Sequence, residues 1–137
     1  MQLYHVGTDG QKSDDDVLIG SQITKTDGLY RFDDLKPGDY YVKLNSGIPD
    51  NMVSSTGEGV AQVTGTGTNE PAPNPDQNAS DNDDNGNQMG TMITSDIVNL
   101  GINDEPTTDR DNEPTTNLAV DFGLFELMAL GNFVWID

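Results

Sequence analysis

Short apolar runs separated by turn residues fill the first part of the chain. Residues 1–6 (MQLYHV), 17–26 (VLIGSQITKT) and 40–44 (YYVKL) each have the composition of a strand. The pairs DG (27–28) and PG (37–38) lie between such runs, and both are typical of tight turns. No segment repeats its apolar residues with the period of a helix. Strands this short and this regularly spaced predict an all-β, antiparallel sandwich or barrel.

Two further strand-like segments lie in the second half, at 91–100 (TMITSDIVNL) and 118–127 (LAVDFGLFEL). Between the two groups, residues 45–90 are rich in Gly, Pro, Ser, Thr, Asn and Asp and have few apolar residues. A loop of this length in a compact domain is either functional or disordered. The strand pattern predicts a core formed by Leu3, Ile23, Tyr30, Phe32, Leu35, Tyr40, Val42, Val120, Phe122, Phe133 and Trp135.

Acidic residues dominate the charge of the chain. There are 24 Asp and Glu against 6 Lys and Arg, which gives a formal net charge of -18. This balance argues against nucleic acids and anionic membrane surfaces as partners, because both are bound by Lys and Arg. No apolar run approaches the roughly 18 residues of a membrane span. Self-repulsion of this size requires either bound cations or a saline medium, and a divalent metal and a salt-adapted source are both open.

No enzyme is predicted from these residues. The chain has no cysteine, and its single histidine, His5, lies inside a predicted strand. Carboxylates are abundant, but they lie in Asn- and Gly-rich runs with no apolar surroundings to shift a pKa, and acid–base catalysis depends on such shifts. Because no disulfide can form, an exported chain of this kind needs another cross-link, and calcium is a common one.

Residues 81–86 (DNDDNG) carry the clearest metal signal. Alternate oxygen-bearing side chains followed by glycine form the first half of a calcium loop, D-x-D-x-N-G. An EF-hand would continue to a glutamate at position 92, which is Met92 here, so the other ligands must come from elsewhere. Glu105 or Glu113 could contribute, and a solvated acidic loop that binds nothing is the alternative. The candidate Ca²⁺ ligands are Asp81, Asp83, Asn85, Asp109, Asp111, Asp27 and Asp137.

A covalent lysine–asparagine cross-link is a second way to stabilise such a sandwich. Lys25 or Lys43 could pair with Asn117 on another strand. The reaction needs a buried acid to assist proton transfer, and the sequence does not reveal one.

Residues 24–44 (TKTDGLYRFDDLKPGDYYVKL) carry the pattern D-G-x-Y-x-F-x-x-L-x-P-G-x-Y-x-V. This pattern resembles the B-type repeats of serine–aspartate-repeat surface adhesins, and it is shared with collagen-adhesin B-like domains and with transthyretin-like modules of carboxypeptidases. Residues 54–59 and 81–88 resemble the long acidic crossover of the larger B-type repeats. Residues 101–125 resemble their closing segment, and 130–137 (LGNFVWID) resembles the first strand of such a repeat.

This resemblance implies an immunoglobulin-like, prealbumin-type antiparallel β-sandwich with long acidic loops, stabilised by Ca²⁺. It implies an extracellular location, at a cell surface or in a secreted filament, and a structural role as a repeat that stacks head-to-tail with like repeats. The alternative is an adhesin module that binds a host protein or glycan through residues 45–90. That loop contains no aromatic residue, which favours the structural role. An enzyme accessory domain is a third hypothesis, and the acidic inserts are less compatible with it.

The resemblance also predicts how the chain is divided. Residues 1–127 correspond to a B-type repeat that lacks its own first strand, and 128–137 correspond to the first strand of the next repeat. That strand could fold back in cis or be donated to a neighbouring repeat. The predicted partners are therefore adjacent repeats of the same kind, besides any unknown surface ligand.

Overall fold

The computed structural model describes residues 1–56, 75, 84–107, 112–132 and 134–136. Within these ranges the chain forms eight strands and no helix. The strands are β1 (Gln2–His5), β2 (Val17–Ser21), β3 (Gly38–Leu44), β4 (Met52–Ser54), β5 (Asn87–Met89), β6 (Met92–Thr94), β7 (Val98–Leu100) and β8 (Leu124–Glu126). The predicted all-β class is therefore confirmed.

The described strands form two antiparallel sheets. In the larger sheet the order is β2-β1-β3-β6-β5, and β7 pairs with the first residues of β3. The smaller sheet consists of β4 and β8, with Ser54 opposite Leu124 and Met52 opposite Glu126. Antiparallel pairing is the arrangement that short strands joined by tight turns can form.

Strand β1 is paired on both sides, with β2 and with β3. Leu3 lies opposite Val42, and these two side chains belong to the buried core. Their neighbours Tyr4 and Tyr41 point to the other face, where their rings stack with centroids 5.2 Å apart. Cross-strand aromatic pairs of this kind stabilise a sheet by roughly 0.2–1 kcal/mol.

The predicted turn at DG (27–28) is present. The N–H of Gly28 donates to the carbonyl of Lys25 (2.9 Å), and the N–H of Lys25 donates to the carbonyl of Leu29 (3.0 Å). Gly28 has a φ of 83°, a conformation that glycine adopts without steric cost. The following residues form no regular strand, because the side chain of Gln22, and not its backbone, bonds both the N–H and the carbonyl of Arg31.

Leu3, Tyr40 and Val42 form the centre of the core. Partly buried side chains pack around them, namely Met1, Tyr30, Phe32, Leu35, Leu100, Val120 and Phe122. The predicted core is correct for all of its members except two of those described. Ile23 is 95% exposed, because it follows the edge strand β2 and no described strand covers it. Trp135 is 78% exposed, because residues 127–132 and 134–136 join neither sheet. Phe133 lies outside the described residues.

Three predicted segments differ from the observed strands. Residues 91–100 form two strands, β6 and β7, because Ser95 between them hydrogen-bonds to Val42 through both its N–H and its hydroxyl oxygen. Residues 118–127 are in a ladder only at β8. The polar stretch 45–90 includes two short strands, β4 and β5, which sequence periodicity did not indicate.

Candidate functional site

The acidic run of residues 81–86 ends in the interior of the protein. Asp84 and Asn85 are 0% and 1% exposed, and two hydroxyl residues beside them, Ser54 and Thr56, are 0% and 2% exposed. Burying a carboxylate is unfavourable unless donors replace its lost water. The arrangement of donors around Asp84 therefore decides how this part of the chain folds.

Four hydrogen bonds satisfy the Asp84 carboxylate. Its Oδ2 accepts from the Ser54 hydroxyl (2.9 Å), the Ser55 hydroxyl (2.7 Å) and the Ser55 N–H (3.1 Å). Its Oδ1 accepts from the N–H of Gly86 (2.8 Å). Hydrogen bonds to an ionised acceptor are about twice as strong as neutral ones. Asp84 thus joins the end of β4 to the end of the acidic run.

Gly86 makes this close approach sterically feasible. A Cβ at this position would lie 2.5 Å from Cδ1 of Phe122 and 2.8 Å from Cγ2 of Ile93. The carbonyl of Gly86 also accepts a hydrogen bond from the hydroxyl of Thr56. The glycine of the D-x-D-x-N-G pattern, which the motif predicts for a sharp turn, therefore has a packing role in this structure.

Asn85 connects the acidic run to the segment before β8. Its N–H donates to the carbonyl of Asp121 (2.9 Å), and its Oδ1 accepts from the N–H of Asp121 (2.7 Å). Two residues later, the carbonyl of Gly123 accepts from the N–H of Ser55 (3.1 Å). The residues 54–56, 84–86 and 121–123 are therefore held together as one unit, here called the Asp84 cluster.

Tyr30 supports the same segment from the core. Its hydroxyl donates to the carbonyl of Val120 (2.6 Å). Burial, with a smaller contribution from the negative charge of Asp121, raises the pKa of Tyr30 well above its ordinary range. The phenol is therefore a neutral donor at neutral pH, as its hydrogen bond to the Val120 carbonyl requires.

Two of the seven predicted Ca²⁺ ligands lie among the described residues. Asn85 belongs to the Asp84 cluster, and Asp27 lies in the exposed 25–29 turn, where its Oδ1 accepts from the N–H of Leu29 (3.1 Å). In the described part of the chain, no three His, Cys, Asp or Glu side chains come close enough together to hold a metal ion. The remaining predicted ligands lie outside the described residues: Asp81, Asp83, Asp109, Asp111 and Asp137.

A second group of hydrogen-bonded carboxylates organises the 7–16 loop, which sequence analysis treated only as an acidic turn. Asp16 accepts from the N–H of Gly7 (2.8 Å), the N–H of Ser13 (2.8 Å) and the hydroxyl of Tyr41 (2.9 Å). Burial acts to raise the pKa of Asp16, but these three hydrogen bonds outweigh it and hold the pKa below its ordinary value of 3.8.

The neighbouring carboxylate of Asp15 closes the same loop. It accepts from the hydroxyl of Ser13 (2.6 Å) and from the N–H and hydroxyl of Thr8 (2.9 and 3.2 Å). The Ser13 bond, followed by the Thr8 N–H bond, lowers the pKa of Asp15. The donors to Asp15 are all local, whereas the Tyr41 hydroxyl ties Asp16 to β3, so the loop is a carboxylate-centred turn attached to the larger sheet.

The 101–119 region contains the buried acid that the sequence did not reveal. Glu105 is 6% exposed, and its carboxylate accepts from the N–H of Gly101 (2.7 Å) and from Nδ2 of Asn117 (3.3 Å). The same Nδ2 donates to the carbonyl of Pro75 (2.9 Å). In the described structure neither Lys25 nor Lys43 is among the hydrogen-bond partners of the Asn117 side chain. The Glu105 carboxylate instead links Gly101 to Asn117.

Comparison with protein-family models, with curated proteins and with solved structures gave no match to this chain. The resemblance to B-type repeats therefore rests on the sequence motifs. In the described residues there is no helix with the length and apolar character needed to cross a membrane.

Proposed function

We propose that this chain is a calcium-stabilised structural repeat of an extracellular surface fibre, stalk or adhesin, with an immunoglobulin-like, prealbumin-type β-sandwich as its fold. The Asp84 cluster is the observation that carries the proposal. It anchors one end of the acidic run 81–86 between β4 and the segment before β8. A calcium loop needs such an anchor, because its ligands must be held at fixed separations.

The chemistry of the anchor assigns different tasks to neighbouring residues. The Asp84 oxygens are occupied by four donors, so Asp84 is a structural residue in this proposal and not a ligand. Asp81 and Asp83 precede it directly and would supply carboxylate oxygens, with Asn85 as a further candidate. Ca²⁺ takes six to eight oxygens, so Asp109 and Asp111 would complete the set from the second acidic insert.

Bound calcium would reduce the electrostatic repulsion within the chain and so stiffen the repeat. A net charge of -18 on 137 residues opposes compaction, and each bound Ca²⁺ would neutralise two of those charges inside the loops. A repeat stiffened in this way would transmit force along a stalk. It would stack head-to-tail with like repeats, an arrangement that does not close on itself and therefore extends.

Thermal unfolding with Ca²⁺ and with chelator tests this function. Millimolar Ca²⁺ should raise the melting temperature, because a ligand that binds only the folded state stabilises it. NaCl at the same ionic strength serves as the control for simple charge screening. Equal melting temperatures in Ca²⁺, in chelator and in matched NaCl would refute the calcium part of the proposal.

Substitution of the candidate ligands tests where calcium binds. Asp81→Asn and Asp83→Asn should each reduce the calcium-dependent rise in melting temperature. Asp50→Asn removes the same charge from an exposed position outside the acidic run and should leave the rise unchanged. An equal loss in all three variants would mean that only net charge matters.

A further inference from the structure

The segment 120–126 has one bonded side and one open side. The backbone groups of Asp121, Gly123, and Leu127 bond toward Asn85, Ser55 and Asn51. Successive residues of an extended strand direct their backbone groups to opposite sides. Val120, Phe122, Leu124 and Glu126 therefore direct theirs away from this unit. We call this outward-facing side of residues 120–126 the open edge.

Few partners reach the open edge in the described structure. The carbonyl of Val120 accepts from the Tyr30 hydroxyl, but no described hydrogen bond involves the N–H of Val120 or either backbone group of Phe122. Strand β8 pairs only with β4, so the outward groups of Leu124 and Glu126 are also outside any described ladder. An edge of this kind is a template for another strand.

The same chain carries a segment suited to that template. In residues 127–136 the described large apolar side chains are all exposed: Leu127 52%, Met128 89%, Leu130 105%, Val134 98%, Trp135 78% and Ile136 97%. This segment contains no charged residue, so it can approach an acidic chain with little electrostatic cost. Consecutive apolar residues on both faces are typical of a strand that is covered on both sides.

Length and turn chemistry favour docking on another molecule. The open edge and residues 130–136 each contain seven residues, or about 23 Å of extended strand. A return onto the same chain's β8 would need a tight turn at 127–129, and Leu127, Met128 and Ala129 include none of the residues that such turns require. The N–H of Leu127 instead continues the pairing with β4 by donating to Asn51 (2.7 Å).

We propose that residues 130–136 of one chain dock as a β-strand on the open edge 120–126 of a second copy. The proposal rests on the head-to-tail stacking in the proposed function and names the surfaces that form it. Each chain would donate one strand and accept one, so the contact would repeat and produce a filament.

The first experiment follows mass and fluorescence together across a dilution series. Trp135 is the only tryptophan, so its emission reports directly on docking. We expect species at multiples of 14.8 kDa that grow with concentration, together with a shift of emission to shorter wavelength. A monomer whose emission is already shifted at every dilution would mean cis folding and would overturn the proposal. A monomer with solvent-exposed emission at every concentration would also overturn it.

Matched proline variants identify the edge. Leu124→Pro removes an N–H that faces away from β4 and should abolish the filament. Ser21→Pro makes the same change on edge strand β2, where Gln22 bonds Met1 and the N–H of Ser21 therefore faces outward. That variant should leave filament length unchanged, although β2 exposes Val17, Leu18 and Ile19. Loss of the filament only in Ser21→Pro would overturn the assignment to 120–126.

A mixing experiment separates donor from acceptor. Trp135→Asp should accept a strand but not donate one, and Leu124→Pro should donate but not accept. Mixed, they should form a 1:1 dimer with shifted emission from the remaining tryptophan. If Leu124→Pro does not fold, a synthetic peptide of residues 127–137 titrated into Trp135→Asp provides the same measurement. An absence of binding by that peptide would refute the proposal.

These results are distinguishable from a failure of the proposed function. If the protein is a monomer that Ca²⁺ stabilises, strand donation is refuted and the calcium-stabilised repeat is supported. If the protein forms a filament that is equally stable in chelator, strand donation is supported and the role of calcium is refuted.

Discussion

At the scale of single residues, the folded structure of the acidic segments depends on whether each buried carboxylate oxygen accepts a hydrogen bond. Asp84 is fully buried, yet three donors from two serines and one from Gly86 satisfy it. Asp15 is held by local donors, and Asp16 is held by the N–H groups of Gly7 and Ser13 and by the hydroxyl of Tyr41. For Asp84 and Asp15, most of the donors come from the serine and threonine residues that make the sequence look disordered.

Removal of the Asp84 carboxylate should strongly destabilise the protein. Asp84→Ala leaves the donors of Ser54, Ser55 and Gly86 buried without an acceptor, so we expect a loss of about 3 kcal/mol in the free energy of unfolding. Urea unfolding measures this loss. Asp33→Ala, which removes an exposed carboxylate paired with exposed Arg31, should change stability by no more than about 0.5 kcal/mol. Similar losses in the two variants would contradict the role given to Asp84.

A methyl group on Gly86 should also be costly. Gly86→Ala places a Cβ within 3 Å of the side chains of Phe122 and Ile93, and such overpacking costs roughly 1–3 kcal/mol. Gly20→Ala is the matched control, because the added Cβ would meet only the Phe32 ring, at an ordinary contact distance of 3.8 Å. Thermal unfolding of both variants measures the difference. A Gly86→Ala protein as stable as Gly20→Ala would mean that the cluster is not closely packed.

The 7–16 loop should lose stability in acid. The pKa of Asp16 is lower in the folded state than the unfolded value of about 3.9, so its contribution is complete above that value and is lost as pH falls through the folded pKa. Asp16→Asn cannot titrate, so the stability of the wild type should fall more steeply than that of the variant below about pH 4. Urea midpoints measured across this range test the difference, and parallel pH profiles would contradict it.

At the scale of secondary-structure elements, the segment 118–126 shows how a strand-like sequence can lack a ladder. Its apolar side chains Val120 and Phe122 pack on the core as the period of two predicts. Its backbone bonds on one side to Asn85 and Ser55, and on the other side the Val120 carbonyl accepts from the Tyr30 hydroxyl and not from a strand. A strand requires a neighbouring strand as well as an alternating sequence pattern. Among the described residues of this segment, only β8 has such a neighbouring strand.

Loss of the Tyr30 hydroxyl should loosen this element. Tyr30→Phe keeps the ring in the core but deprives the Val120 carbonyl of its donor, which should cost about 1 kcal/mol. Amide hydrogen exchange should increase most at residues 118–123. Tyr40→Phe removes a hydroxyl that bonds Lys36 at a different site and should leave exchange at 118–123 unchanged. Unaltered exchange at 118–123 in Tyr30→Phe would contradict the anchoring role.

At the scale of the whole molecule, charge opposes folding and limits association. Five of the six basic residues lie in residues 1–44, so the remainder of the chain carries most of the net negative charge. Screening of these repulsions should stabilise the folded state. We therefore expect the melting temperature in chelator to rise steadily with NaCl. A melting temperature independent of NaCl would mean that self-repulsion contributes little to the stability.

The sequence by itself determined the all-β class, the DG turn and most of the core, because alternation and turn residues act locally. It did not reveal the Asp84 cluster, the buried Glu105 or the exposure of Ile23 and Trp135. These depend on contacts between residues far apart in the chain: Ser54 and Asp84 are 30 positions apart, and Asn85 and Asp121 are 36 apart. Only the tertiary structure decides which polar residues are given buried partners and which apolar residues are left without a neighbouring strand, since both depend on the packing of distant segments.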